Sequence, residues 1–575
     1  MAYEPYLAAA SSAVFLIGYI IWNLYPKPLP GAPHFPESTK VLFGDGQYIK
    51  ATQKENKEPS ETIFSLCRKI GRPLFQLLIT RFSAPSFVLN DAREIEDILL
   101  RRNKEFDRSP MTAQLFKQIL PHATLSQLTT PALKAQKRLW SDVMHPDFLR
   151  RAVAPKLAAS AQDLVELWKV KLGQFGGQPF SVEHDFNDAA LDAIWTSILG
   201  TKIGVLKHET AKLVDPAAPV DQEAVRTISL VRYAVKEGNR VVDMGLASFW
   251  PGLTFFFLSL TPSYRKFMRD SKTELQKIMR AACDRFRSLS GSEGNRDNDD
   301  GSSHDTCAMD LVLRKEIQTA QRRNLPSPPD PTLDPAMLEE LWLLLLAGHD
   351  STANTLMWFV KYMTSYQSAQ ATLRKALQDA FSDGENKKPS AAEILERDIP
   401  YLDAAIEECL RLAGTASITV RQALTDTQVL GQHIPKGSNV LLNLRMKDPQ
   451  FEVDESLRSA TSRAAQAKSR NGAGGGRFRG PSGRDLEVFE PKRWLYRDEN
   501  GNEVFDAYSL PSLTFGGGYR GCFGKRMAMI ELKIIIATIM LNFEFLPLPD
   551  ELASMAAEEK VFRKPRMANV RLKAL

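Results

Sequence analysis

Residues Phe515 to Gly524 read FGGGYRGCFG, and this stretch decides the fold. It places one cysteine, Cys522, on a glycine-rich turn with Arg520 two residues upstream. Gly516, Gly517, Gly518, Gly521 and Gly524 permit positive φ and let the backbone approach a bulky group or the sulfur closely. A thiolate on such a turn suits the axial position of a haem iron, where it donates electron density and favours O–O cleavage. Amides around the sulfur tune such a ligand and the ring of Phe515 can shield it from water, while Arg520 offers a cation to a haem propionate. The following KRMAMIELKIIIATIM has the apolar spacing of a helix, so Cys522 precedes a helix N-terminus, a position that favours its thiolate. A buried structural cysteine in a glycine-rich turn is the other reading of these residues alone.

The pattern F-x-x-G-x-R-x-C-x-G is filled at every position and resembles the cysteine-ligand loop of the cytochrome P450 family. That resemblance implies a mostly α fold with small β-sheets (α+β), built on a long central oxygen-binding helix and this loop. It also implies haem b (iron protoporphyrin IX) with Cys522 as axial ligand and Phe515, Gly516, Arg520 and Gly524 against the cofactor.

The helix that contains a second stretch, LEELWLLLLAGHDSTANTLMWFV, begins with a capping Asp334 and Pro335 at the first helical position, then becomes apolar nearly all round, as a central helix does. Inside it Gly348, Asp350 and Ser351 bring a gap, a carboxylate and a hydroxyl where packing alone needs none. A hydroxyl that bonds the carbonyl one turn back can open the helix beside Gly348 and leave room for a diatomic ligand. The resemblance gives AGHDST the role of oxygen binding and proton delivery, with Asp350 as the acid and Ser351 as the alcohol. Serine stands where the family usually has threonine, which loosens χ1, and Thr352 is placed to share the task. His349 reads as structural.

In PYLDAAIEECLRL, Glu408 and Arg411 are three apart and share a helix face, where they can pair. Further on, FEPKRW resembles the family's P-E-R-F segment and puts Arg493 with that pair, a trio assigned to folding around the cofactor. Arg421 matches a position that reaches a haem propionate. In the early helix ALKAQKRLW, Lys137 or Arg138 takes the place of the usual propionate arginine, as a point charge in the case of lysine.

The composition, 43% hydrophobic and 25% charged over 575 residues, is that of a globular protein, and a net charge of +6 lacks the density of a basic stripe, so nucleic acid is not an expected partner. The five cysteines are scattered without a zinc spacing, which fits a reducing compartment. Residues 6–25, YLAAASSAVFLIGYIIWNLY, form an uncharged apolar run near the ~20 residues of a membrane span. We read residues 1–25 as a transmembrane anchor, 26–47 as a proline-rich linker and 48–575 as the haem-thiolate monooxygenase domain, with a cleaved signal peptide as the alternative for the first segment. Lys27 after the run puts the body on the cytoplasmic side. Two polar stretches, about 288–303 and 456–484, read as flexible insertions; the second is basic, so lipid or an acidic partner stands beside plain solvation as its environment. The apolar ASFWPGLTFFFLSL at 247–260 reads equally as core or as a segment that dips into a membrane.

The resemblance implies a monooxygenase of the endoplasmic reticulum membrane, single-pass, that inserts one atom of O2 into a small lipophilic substrate, in filamentous-fungal secondary-metabolite biosynthesis. No dinucleotide-binding unit is apparent, so electrons are expected from an NADPH-dependent flavoprotein reductase, with cytochrome b5 as a second donor. An isomerase, dehydratase or peroxide user on the same fold, and a non-catalytic haem sensor, are the competing readings.

Overall fold

The structure, a computed structural model, describes residues 4–56, 58–217, 222–248, 250–292, 305–382, 388–447, 451–470, 486–510 and 512–575. In its first half, α1 (Glu4–Leu24) precedes β1 (Leu74–Leu77), β2 (Ser86–Leu89), α2 (Ala92–Leu100), β3 (Phe106–Arg108), α3 (Pro110–Lys117), α4 (Pro131–Trp140), α5 (Ala154–Phe175), α6 (Glu183–Leu199), α7 (Gln222–Leu246) and α8 (Pro251–Leu260). The second half holds α9 (Pro335–Ser365), α10 (Pro400–Ala413), β4 (Ile418–Ala423), β5 (Asn439–Asn443), α11 (Ala460–Arg470), α12 (Lys525–Asn542) and the hairpin of β6 (Ala557–Glu559) and β7 (Arg563–Pro565).

The axis of the fold is α9, about 46 Å long at 1.5 Å per residue. It starts where the sequence signals, with the Asp334 carboxylate accepting from the Ala336 amide at 2.9 Å and Pro335 in the first turn. From Thr352 to Thr364 every side chain is buried. Gly348 lets α6 come close, because a Cβ there would lie 2.7 Å from Ile194 Cδ1. The bare backbone at Gly348 is thus needed for α6 to pack on α9. Behind α9, α12 is buried through Ile534–Met540 and packs on α5.

The main sheet has the order β1-β2-β5-β4-β3, with β2 and β5 parallel and the other pairs antiparallel. Its edge register sets Arg108 of β3 directly opposite Arg421 of β4. The proline-rich segment lies along this sheet: the Leu29 amide donates to Gln76 Oε1 at 2.8 Å, and the Gln76 amide to the Pro33 carbonyl at 2.7 Å.

Helix α1 exposes Phe15, Leu16 and Ile17, but its last turn is committed to the body. Arg81 covers Trp22 at 3.8 Å, and its amide donates to the Asn23 carbonyl at 2.9 Å. Among the described residues no helix is long and apolar enough to cross a membrane. The single-pass reading of residues 1–25 is thus not supported, and the last turn of α1 is used in packing on Arg81. In α8, Phe255 and Leu258 are buried while Leu253, Phe256, Phe257 and Leu260 are exposed, so this apolar segment is core on one face only.

The 288–303 insertion begins as the end of a helix, Pro262–Ser292, and its residues 293–303 lie outside the described residues. The 456–484 insertion departs from its expected flexibility up to residue 470. There α11 forms and Arg458, nearly fully buried, grips Asp91 at 2.8 and 3.0 Å with Glu94 at 3.8 Å. Asp91 also caps α2 through the Glu94 amide, and the hydroxyls of Ser459 and Thr461 donate to Asp97. Polar composition signals disorder only when the polar groups find no buried partners, and here α2 supplies them. Residues 471–484 lie outside the described residues. Arg458→Ala strands two buried carboxylates and is expected to cost about 3 kcal/mol or more, read as a lowered denaturant midpoint against an Arg463→Ala control on the exposed side of the same segment.

Candidate active site

Cys522 sits on the turn that precedes α12, and the turn is closed by its own backbone. The Cys522 amide donates to the Phe515 carbonyl at 2.8 Å, and Gly516 donates to Leu513 at 2.7 Å. Gly516 and Gly518 hold φ of 63° and 62°, the left-handed region that glycine adopts without strain. At Gly518 a Cβ would fall against the Leu99 carbonyl of α2, so the bare backbone is required by α2 as much as by any group in the cleft. A Cβ on Gly524, by contrast, would meet open space. The amides of Gly524 and Lys525 point at the sulfur, Lys525 and Lys137 stand near it, and Cys522 is open to the space beside the turn. A cavity of about 590 Å³ runs past the turn, with Leu99, Leu100, Lys137, Phe515, Cys522 and Lys525 in its wall.

Four cations converge on this side of the fold: Arg108, Lys137, Arg421 and Arg520. Burial and mutual repulsion push Lys137 down to about 8, Arg108 to about 9 and Arg421 to about 10, while burial lowers Arg520. The nearby carboxylate of Asp107 is occupied by the Thr129 amide and hydroxyl. Arg520 spends one Nη on the Gln127 carbonyl, leaving its Nε and other Nη buried without a hydrogen bond, and Arg108 Nε is likewise unmatched. Such a donor set fits a planar dianion, and the two propionates of haem b have that character. Lys137 donates to the Tyr519 carbonyl at 2.6 Å, whereas Arg138 lines a separate cavity with Trp140 and Lys315 on the far face of α4. Of the two candidates in the early helix, only Lys137 belongs to the site, on the same face as buried Leu133 one turn before it.

On α9 the hydroxyls bond back one turn, Ser351 to the Ala347 carbonyl at 2.8 Å and Thr352 to that of Gly348 at 3.1 Å. Leu343, Leu346, Ala347, Asp350 and Ser351, with Leu344 and Gly348 beside them, keep partial or full exposure and mark an open face on the first half of a helix that is buried from Thr352 to Thr364. Asp350 accepts from Asn239 Nδ2 of α7 at 2.6 Å, with His349 Nε2 at 3.4 Å. Thr352 turns away and meets Glu531 of α12 at 3.4 Å. Glu531 is fully enclosed, and burial pushes its carboxyl up to about 8 against that one hydroxyl.

The expected lock forms around Glu408. Arg411 donates to it twice, at 2.9 and 2.7 Å, and also to the Met446 carbonyl. Trp494 Nε1 and the Glu490 amide add bonds at 2.9 and 3.1 Å, while Arg493 approaches to 3.6 Å. The third anchor of the pair is thus Trp494 more than Arg493, with the arginine flanking it.

A match to the cytochrome P450 family covers residues 38–450 and 485–571. The chain belongs to the cytochrome P450 family. It is 30% identical, over 96% of both chains, to the cytochrome P450 monooxygenase TRI13 of Fusarium sporotrichioides. To the cytochrome P450 monooxygenase GME11363 of Pestalotiopsis microspora it is 31% identical over 96% of this chain and 95% of the relative, and to xilC of Penicillium rubens 28% over 96% and 93%. This cytochrome P450 is accordingly an enzyme of the monooxygenase class, and its family implies a haem-thiolate cofactor. The unmatched stretch between 450 and 485 contains α11, so the P450 framework carries the insertion as an addition of its own. Sequence reasoning gave no role to Arg108, Asn239, Trp494 or Glu531, although Trp494 closes the FEPKRW segment and Glu531 lies in the helix that follows the cysteine.

Two measurements probe this geometry. Arg108→Leu and Arg520→Leu each remove a charge-assisted partner worth roughly 1.5–3 kcal/mol, so haem transfer to apomyoglobin is expected to speed about tenfold or more. Glu531 keeps its proton to about pH 8 when folded and loses it near 4.5 when unfolded. The folded state then binds more protons across that window, so stability falls as pH rises through it. Glu531→Gln cannot ionise and is expected to flatten this part of the Tm-against-pH curve.

Proposed function

We propose that this cytochrome P450 inserts one atom of O2 into a lipophilic organic substrate, a hydroxylation or related oxidation, in fungal secondary-metabolite biosynthesis. The balance is RH + O2 + NADPH + H⁺ → ROH + H2O + NADP⁺, with electrons delivered by an NADPH-dependent flavoprotein reductase and cytochrome b5 as a second donor. The observation that carries the reading is Cys522 on its glycine turn with the cation wall beside it, Lys137 lining the same cavity as the cysteine. A named relative points to the metabolic setting: the Hps1-dma1 cluster cytochrome P450 monooxygenase cyp3.1 of Dothistroma septosporum is 34% identical over 46% of this chain and 86% of its own.

Haem b, when bound, supplies the iron centre at which O2 is activated. Cys522 gives that iron a thiolate and its electron density. Arg108, Lys137, Arg421 and Arg520 would hold the haem propionates. Asp350 holds a proton at its carboxyl and Ser351 passes it on through a hydroxyl that both donates and accepts. Thr352 belongs to the supporting layer between α9 and α12, with Glu531. Leu343, Leu346 and Ala347 of α9, with Phe116 of α3, favour an apolar substrate. The exposed apolar faces of α1 and α8 support association with the endoplasmic reticulum membrane, body on the cytoplasmic side.

Reduced protein under carbon monoxide is expected to show the Soret band of a thiolate-ligated haem, and Cys522→Ser to lose it. A wild-type spectrum without that band defeats the assignment. Titrating terpenoids, polyketides and other lipophilic compounds against the Soret band then identifies the substrate class.

A further inference from the structure

Asp350 is the only carboxylate on the open face of α9 among Leu343, Leu346, Ala347 and Ser351, and it is held from outside its own helix. The holder is Asn239 of α7, whose Nδ2 donates to Asp350 Oδ2 at 2.6 Å across 111 residues of sequence. Helix α7 is held at several points. Its Gly238 faces Ile119 and its Gly245 faces Phe255 of α8 and Leu115 of α3, and one turn beyond Asn239 its Asp243 accepts from the Val561 amide and faces Lys560 in the turn of the β6–β7 hairpin. The helix thus rests on α8, on α3, on the hairpin and, through Asn239, on the acid itself.

The residue type matters. A lysine or arginine at 239 would hold Asp350 as a fixed ion pair. An amide serves either protonation state, since its NH2 donates to a carboxylate oxygen and its carbonyl accepts from a carboxylic acid. Asn239 can therefore fix where the carboxyl stands without fixing its charge, which suits a group that must give up a proton and regain one.

We infer that Asn239 is the positioning residue for Asp350, so that α7 must be docked on α9 for the acid to stand ready beside Ser351. This rests on the reading of Asp350 as the proton donor. The step it serves moves one proton from the Asp350 carboxyl through the Ser351 hydroxyl to reduced dioxygen, and water restores the proton; no electron passes through either residue. When delivery falters, reducing equivalents leave as peroxide, O2 + NADPH + H⁺ → H2O2 + NADP⁺. With delivery intact and no substrate, the balance shifts to water, O2 + 2 NADPH + 2 H⁺ → 2 H2O + 2 NADP⁺.

The test uses the full-length holoprotein with reductase and NADPH and needs no substrate. Asn239→Ala is expected to keep the thiolate-type carbon monoxide spectrum and to raise peroxide released per NADPH at least threefold, and Asn239→Gln, which retains an amide, to recover part of the loss. A second readout is independent of turnover: the infrared carboxyl band assigned to Asp350 by its loss in Asp350→Asn is expected to shift in Asn239→Ala and to move back in Asn239→Gln. A structural role for Asn239 alone would leave that band and the peroxide fraction in place, and either result overturns the inference. If Asp350→Asn itself leaves the peroxide fraction unchanged, the proton-donor reading falls and this inference with it. If Asp350→Asn raises the fraction and Asn239→Ala does not, only the inference falls.

Discussion

The fold turns on one buried carboxylate. Glu408 is sealed from water and accepts from Arg411 twice, from the Trp494 indole and from the Glu490 amide, with Arg493 alongside. A carboxylate stripped of water is tolerable only when its lone pairs are matched. That requirement joins α10 to the segment leading into the cysteine turn, and through the Met446 carbonyl it reaches the end of the sheet as well. Two parts of the chain about 80 residues apart are thereby held in register before any group in the cleft is considered.

Local physics explains what was legible in the sequence. The cap at Asp334, the start at Pro335, the glycines of 516–518 and the three-residue spacing of Glu408 and Arg411 all act within a turn or two of chain, and each stands where its residue types place it. Cys522 lies where its motif puts it. Arg421 and Arg520 stand in one cation cluster with Lys137 and Arg108.

What was not legible depends on distant register. Arg108 becomes a site residue only because β3 pairs with β4 and sets it against Arg421. Lys137 and Arg138 are neighbours in sequence and opposites on a helix, a choice that composition cannot make. The polar stretch after Ser456 reads as solvated, yet Arg458 finds acids on α2 contributed by residues more than 360 positions earlier. Likewise the apolar run of α1 has the composition of a span, while its end is drawn onto Arg81. In each case tertiary partners override a local rule, as they do for intrinsic propensity.

The cation wall has a consequence for the life of the protein in a cell. Four like charges on one face weaken the folded chain by their repulsion, and a dianion that binds them only in the folded state adds its binding free energy to stability. Supply of the prosthetic group then governs how much chain survives quality control, since a shift of one or two kcal/mol changes steady-state abundance several-fold. A producing organism that expresses this gene faster than it makes porphyrin would accumulate degradation fragments rather than a reserve of empty enzyme.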